Sequence, residues 1–307
     1  MRGYEGKHAV WPELDFHAML DTLETLHQWI QIVGKIRLKT MPWQNHSWHG
    51  TLYLTPKGFS THGIPYRGRN FQFDFDFRSH QLSMHCSDAE EISIAFYSRT
   101  VADFHDELFR KLKEINLDVS IHPKPNEMEP AIPFRENTVN KTYEPEAAQR
   151  LWQAMLRANE VFTKFRSGFI GKVSPVHLFW GAFDLAVSRF SGRRAPLHPG
   201  GMPNMPLEVM QEAYSHEVSS AGFWPGSKDF PNPVFYSYVY PTPESFAKQR
   251  IKPEQAYYSP EMGEFLLHYS DVQKSASPES VLYDFLVTTY NAAAKSANWD
   301  EDLVKKS

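Results

Sequence analysis

With 307 residues, 41% of them apolar and 22% charged, the chain can build one large core or two moderate ones. A net charge of −4 speaks against a broad basic surface and so against nucleic acid as a partner, and no run approaches the roughly 18 apolar residues of a membrane span. A single cysteine, Cys86, excludes an intramolecular disulfide and a cysteine-cluster zinc site, and "MRGYEGKHAVWPELDF" lacks the apolar centre of a signal peptide. Together these features describe a cytoplasmic globular protein with no membrane partner.

In chain order, residues 13–33 carry Met19, Leu20, Leu23, Leu26, Ile30 and Val33 at three- and four-residue steps, which predicts an amphipathic helix. "NHSWHG" (45–50) reads as the head of a strand. "FQFDFDF" (71–77) alternates without a break and predicts a half-buried antiparallel strand. Cys86, in step with Leu82 and Met84, is expected on the apolar face of the next strand. A second helix is expected over 100–115, opened by Thr100 as cap and Asp103 in the first turn. Residues 123–145, with five prolines, read as a connection. A third helix opens at Pro145, "VFYSYVY" (234–240) is a further strand, and a fourth helix opens at Ser277-Pro278.

The two halves echo one another. Without a gap, "NHSWHGTLYLTPKGFS" (45–60) sets His46 on His177, Gly50 on Gly181, Leu54 on Leu185 and Phe59 on Phe190 of "VHLFWGAFDLAVSRFS" (176–191). "IVGK" (32–35) matches "FIGK" (169–172), and "LSMHCSD" (82–88) matches "FLLHYSD" (265–271). The expected fold is therefore α+β and internally duplicated: a helix–antiparallel strands–helix unit over 10–122, a proline-rich connection over 123–144, and a second unit over 145–300. The second unit carries a loop-rich insertion, 193–233, and the whole forms one compact body.

The strings "WPEL", "LHQWIQIVGKIRL", "SPVHLFWGAFDLAVSRFSGR", "HPGG" and "YSHEVSSAGFWPG" resemble a bacterial family known as domain-of-unknown-function family 5996. The resemblance spans nearly the whole chain. It implies a compact, stand-alone bacterial protein and transfers no activity, cofactor or catalytic residue.

The residues themselves point to a small-molecule site in the second half or at the seam between the halves, with an anionic ligand in view. Its ligand-binding residues are expected to be Trp180, Asp184, Arg189, His198, Tyr214, Phe223 and Trp224, with Arg189 as anion anchor. In an enzyme, His177 or His216 would act as acid/base group or metal ligand, and Glu217 as partner. His177, His198, His216 and Glu217 could hold a divalent zinc or iron ion. Against this stands a plain structural account, in which the module is non-catalytic, His177 bonds a backbone carbonyl, and Asp184 pairs with a nearby arginine to fix its strand. His46 and His49, three apart on a strand, would point to opposite faces and share no ion. "YSHEV" is no catalytic triad, because sequence neighbours rarely converge and no Gly-x-Ser-x-Gly elbow exists.

Overall fold

A computed structural model describes residues 10–304; the first nine residues of the stretch inspected for a signal peptide lie outside it. α1 (Phe16–Thr40) is capped by Asp15, whose carboxylate accepts from Ala18 N at 3.1 Å. The helix runs past the expected end, and from Thr25 to Arg37 nearly every residue on every side is buried. A helix enclosed all round is a central one. It packs against α2 (Val101–Glu114), α3 (Pro145–Ser167) and the 3-10 turn Asn45–Gly50.

Two antiparallel sheets flank these helices. The first runs β1 (Tyr53–Leu54), β2 (Gly58–Ser60), β4 (Arg69–Asp76), β5 (Gln81–Cys86), β6 (Ala89–Ala95), with β3 (Ile64–Tyr66) pairing β4. The alternating phenylalanines behave as their spacing predicts: Phe71, Phe73, Phe75 and Phe77 are all core residues. The second sheet has the order β11 (Tyr257–Ser259), β12 (Glu264–His268), β10 (Val234–Tyr240), β9 (His216–Trp224), β8 (Asp184–Arg194), β7 (His177–Phe179). Its inner face lies on α3 and α6 (Pro278–Ser296). One apolar cluster runs through both halves, and a small second one, around Ala186, Val234, Tyr236 and Leu266, occupies the outer face of the second sheet. No described helix is long and apolar enough to cross a membrane.

The sheets meet at their edges. Leu52, just before β1, and Leu178 of β7 exchange two backbone hydrogen bonds of 2.9 Å. Above this junction sits α4 (Leu207–Ala213), packed on the Asn45–Gly50 turn.

Several expectations change here. "NHSWHG" is a 3-10 turn with His46 and Ser47 at φ near +60°, not a strand. The ungapped match therefore pairs unlike elements: His46 lies in that turn and His177 on β7. Residues 193–233 are more than loop, because they supply α4 and β9, a strand inside the sheet. In the first half β6 separates "HCSD" from its helix, whereas in the second α5 (Tyr269–Gln273) follows His268 at once. Mixed α+β architecture stands, while a repeated unit with matched residues on matched elements does not emerge. Cys86 is only half-buried, its thiol donating to Asp88 Oδ1 at 3.0 Å.

Candidate functional site

Residues paired across antiparallel strands share a face, and so do alternate residues along one strand. His177 pairs with Ala186 and Phe179 with Asp184. The hairpin turn between them thus brings His177 and Asp184 onto one face, where strand parity alone would oppose them. That outer face continues through Ser188 and Phe190, then Val218, Ser220, Gly222 and Trp224, then Tyr236 and Tyr238.

At the β7 end this face meets α1. Arg37 is 5% exposed, His49 0% and His177 1%. The Arg37 guanidinium donates to Thr61 O and interacts with the Tyr53 hydroxyl, but its Nε has no partner. His49 Nδ1 lies 3.1 Å from Gln44 N and 3.3 Å from Gln44 O, and its Nε2 is buried without a partner among the described residues. His177 Nδ1 is likewise buried and unpaired. Three orphaned nitrogens in one small region are unusual, since buried polar groups are nearly always hydrogen-bonded.

Charge sharpens the anomaly. Burial, then the charges of Arg37 and Arg166, push the His177 imidazole down to about 3. Burial and Arg37 also lower His62 and His49. Arg37 is thus the common positive neighbour of three imidazoles, and among the described residues it makes no ion pair. Half-buried aromatic rings stand around His177: Trp48 at 5.4 Å, Tyr53 at 5.5 Å and Phe179 at 5.6 Å. The exposed His62 stacks flat on Tyr53 at 4.2 Å. The seam of the two sheets therefore holds a basic, aromatic-walled cluster with unused donors. A model described as a family of unknown function, DUF5996, matches residues 11–306. The chain belongs to that family. No curated protein and no solved structure matches it.

In this DUF5996 chain a second polar cluster lies further along the same sheet face. Tyr236 donates its hydroxyl to Asp184 Oδ2, and the hydroxyls of Tyr214 and Tyr238 lie 3.0 Å apart. Burial raises Asp184 to about 6; burial and then Asp184 raise Glu127 to about 7 and Glu264 to about 8. Glu127 stands at φ +56° on the proline-rich connection, a conformation non-glycine residues rarely hold without support. The support is visible: Gln31 of α1 grips the Asn126 backbone through two 2.8 Å hydrogen bonds, Lys35 donates to Asn126 Oδ1, and Glu127 N donates to Pro203 O at 3.0 Å. The Glu127 carboxylate consequently lies directly on Gly181, where any Cβ would collide with it.

Trp180 divides the two clusters. Its ring fills the space above Gly34, its Nε1 donates to Gly50 O at 2.7 Å, and its carbonyl, with that of Gly181, accepts from His27 Nε2 at 2.9 Å.

The expected site residues are scattered by this geometry. Asp184 and Tyr214 come together in the acidic cluster, with His198 stacked on Tyr214 at 4.5 Å. Trp224 shares that face but stacks on Phe230. Phe223 faces the core. So does Arg189, whose guanidinium lies 3.4 Å from the Phe165 ring centre and close to Tyr290; the partner of Asp184 is Tyr236, not an arginine. The His177 ring Nδ1 has no partner among the described residues, the His216 ring centre sits 6.0 Å from that of His46, and Glu217 pairs with Arg193 at 2.7 Å. His177, His198, His216 and Glu217 thus occupy separate surroundings, and among the described residues no group of three His, Cys, Asp or Glu could hold a metal ion.

Arg37, Trp48 and Tyr53 are not among the site residues expected from the sequence, and His49 is weighed there only as a metal ligand, although one signal is available for Arg37. Ile30, Val33 and Ile36 form one apolar arc of α1, and on a helical projection Arg37 falls between Val33 and Ile30, so it had to be buried with them.

Proposed function

We propose that this chain binds a small anionic molecule at the seam of its two sheets, between Trp48, Tyr53 and Phe179 and against Arg37 and His177. The carrying observation is Arg37, a buried guanidinium that among the described residues has a free Nε and no carboxylate partner. An unpaired buried charge is costly, and arginine cannot relieve that cost by losing its proton. A carboxylate or phosphate would satisfy Nε and could accept from His49 Nε2. It would also raise the depressed His177 and recruit that ring as a further donor. Aromatic walls favour a ligand with a flat or apolar part beside its anionic group.

Thermal denaturation in phosphate, acetate, pyruvate and benzoate, each matched to chloride in ionic strength, tests the proposal. At least one anion is expected to raise the Tm saturably. Arg37→Met should weaken that binding by about ten- to hundredfold, the worth of a charge-assisted bond. A response to none of the four, or one that survives Arg37→Met unchanged, sinks it. Should Arg37→Met fail to fold, His177→Phe offers the same contrast with the guanidinium in place.

A further inference from the structure

The Trp48 ring has a further polar neighbour. Lys172 Nζ donates to His46 Nε2 at 2.9 Å, and His46 Nδ1 donates to Ala213 O at 2.9 Å. The Ala213 carbonyl fixes the tautomer: Nδ1 carries the hydrogen, and the Nε2 lone pair faces the amine. Lys172 is exposed along its length, yet its nitrogen lies 5.3 Å from the centre of the Trp48 ring and 5.1 Å from that of Phe190, with an imidazole rather than a carboxylate as hydrogen-bond partner. Desolvation between these groups lowers the lysine, in the direction that frees its lone pair. An amine between aromatic rings, held by a neutral base and open to solvent, is a poor ion pair and a good nucleophile.

We propose that Lys172 forms an imine with the carbonyl carbon of a small oxo acid whose anionic group rests at Arg37 and His177. The Trp48 ring touches both places, lying 5.4 Å from His177. The choice of an oxo acid rests on the anion site proposed above; the lysine chemistry does not. His46 takes one proton from the ammonium, and the freed lone pair attacks the carbonyl carbon. The carbonyl π pair moves to oxygen, which takes the proton back from His46. His46 then removes a second proton from nitrogen and delivers it to the hydroxyl. Water departs as the nitrogen lone pair closes the C=N bond. Ammonium and carbonyl have become protonated imine and water, with no oxidant or reductant consumed.

The full chain would be incubated with pyruvate, acetone or acetaldehyde in the presence of cyanoborohydride, and the reduced adducts mapped by peptide mass spectrometry. Expected is pyruvate attached to Lys172 at least tenfold ahead of any other lysine, lost in Lys172→Arg and slowed at least tenfold in His46→Gln. Label spread over lysines according to exposure overturns the proposal, as does label unchanged by Lys172→Arg. Acetaldehyde on Lys172 without a preference for pyruvate, and indifferent to Arg37→Met, would retain the nucleophile and remove the anion site. Pyruvate that stabilises the chain but never labels Lys172 would do the reverse.

Discussion

Arg37 and Asp184 serve one sheet face and are almost equally enclosed, yet they answer burial differently. Asp184 has neighbours that share its problem. At neutral pH it keeps its charge against the Tyr236 hydroxyl, while Glu264, raised to about 8, keeps its proton. A carboxyl can become neutral, and phenols can serve it, so the acidic cluster satisfies itself. A guanidinium has no such exit: even Arg189, pushed down to about 10, is still charged at neutral pH, and it is boxed by aromatic rings instead. Among the described residues Arg37 has no counter-ion, and a single ring, Tyr53 at 5.9 Å, stands over it in place of a box. Of two regions rich in displaced pKa values, the one whose charge cannot be discharged internally is the one proposed to take a ligand.

The sharpest way to break this comparison is to remove the residue standing between the regions. Trp180→Ala should cost about 3–5 kcal/mol in chemical denaturation, the range for a buried aromatic, and take the anion response with it. A loss below ~1 kcal/mol would mean that the two clusters do not depend on a common wall. Gly181→Ala is narrower. Its Cβ must displace the Glu127 carboxylate, at a cost of about 1–3 kcal/mol, while anion binding at the far side of Trp180 stays within twofold of wild type. An equal loss of anion binding would make the regions one site.

The fold was more legible than the site. Thr100 caps α2, Pro145 and Pro278 open α3 and α6, and "VFYSYVY" is β10 to the residue, because local spacing and caps act within a few positions. His177 and Asp184 stand out in the sequence as polar residues in an apolar run, but their shared face depends on a turn at Trp180–Phe183 that parity counting skips. Arg189 looked like an anion anchor from its neighbours in sequence, and register turned it inward against α3. The basic cluster gathers α1, the Asn45–Gly50 turn, β1 and β7, so no window of sequence contains it.

The pH dependence of stability separates the regions next. A carboxyl raised in the fold contributes fully below its unfolded value, and that contribution is lost as pH climbs through the folded one. For Asp184, Glu127 and Glu264 the window opens near 4 and closes near 6, 7 and 8. The depressed histidines act oppositely: His27, at about 4, and His177, at about 3, contribute above 6.5 and are lost as pH falls through the folded values. Between 4 and 6.5 the two sets oppose one another; from 6.5 to 8 the carboxyls dominate, and Lys35, lowered by burial to about 8, begins to oppose them at the upper end. The Tm should therefore decline from pH 6.5 to 8, and Glu264→Gln should flatten the decline while Arg37→Met leaves it. A wild-type profile flat over that range would remove the raised carboxyls from the account.

The smallest expected effect discriminates most finely. His62 lies flat on Tyr53, and His198 lies against Tyr214, so each region carries one imidazole stacked on one phenol. If the anion sits at the seam, His62→Ala exposes one of its walls and should lower affinity by roughly two- to fivefold, as expected for an aromatic contact of ~0.5–1 kcal/mol. His198→Ala, an equivalent cut on the acidic side, should leave affinity unchanged. Isothermal titration with whichever anion stabilises wild type reads both. Equal losses would argue for a general loosening of the sheet face. A loss at His198 alone would remove the anion from the seam.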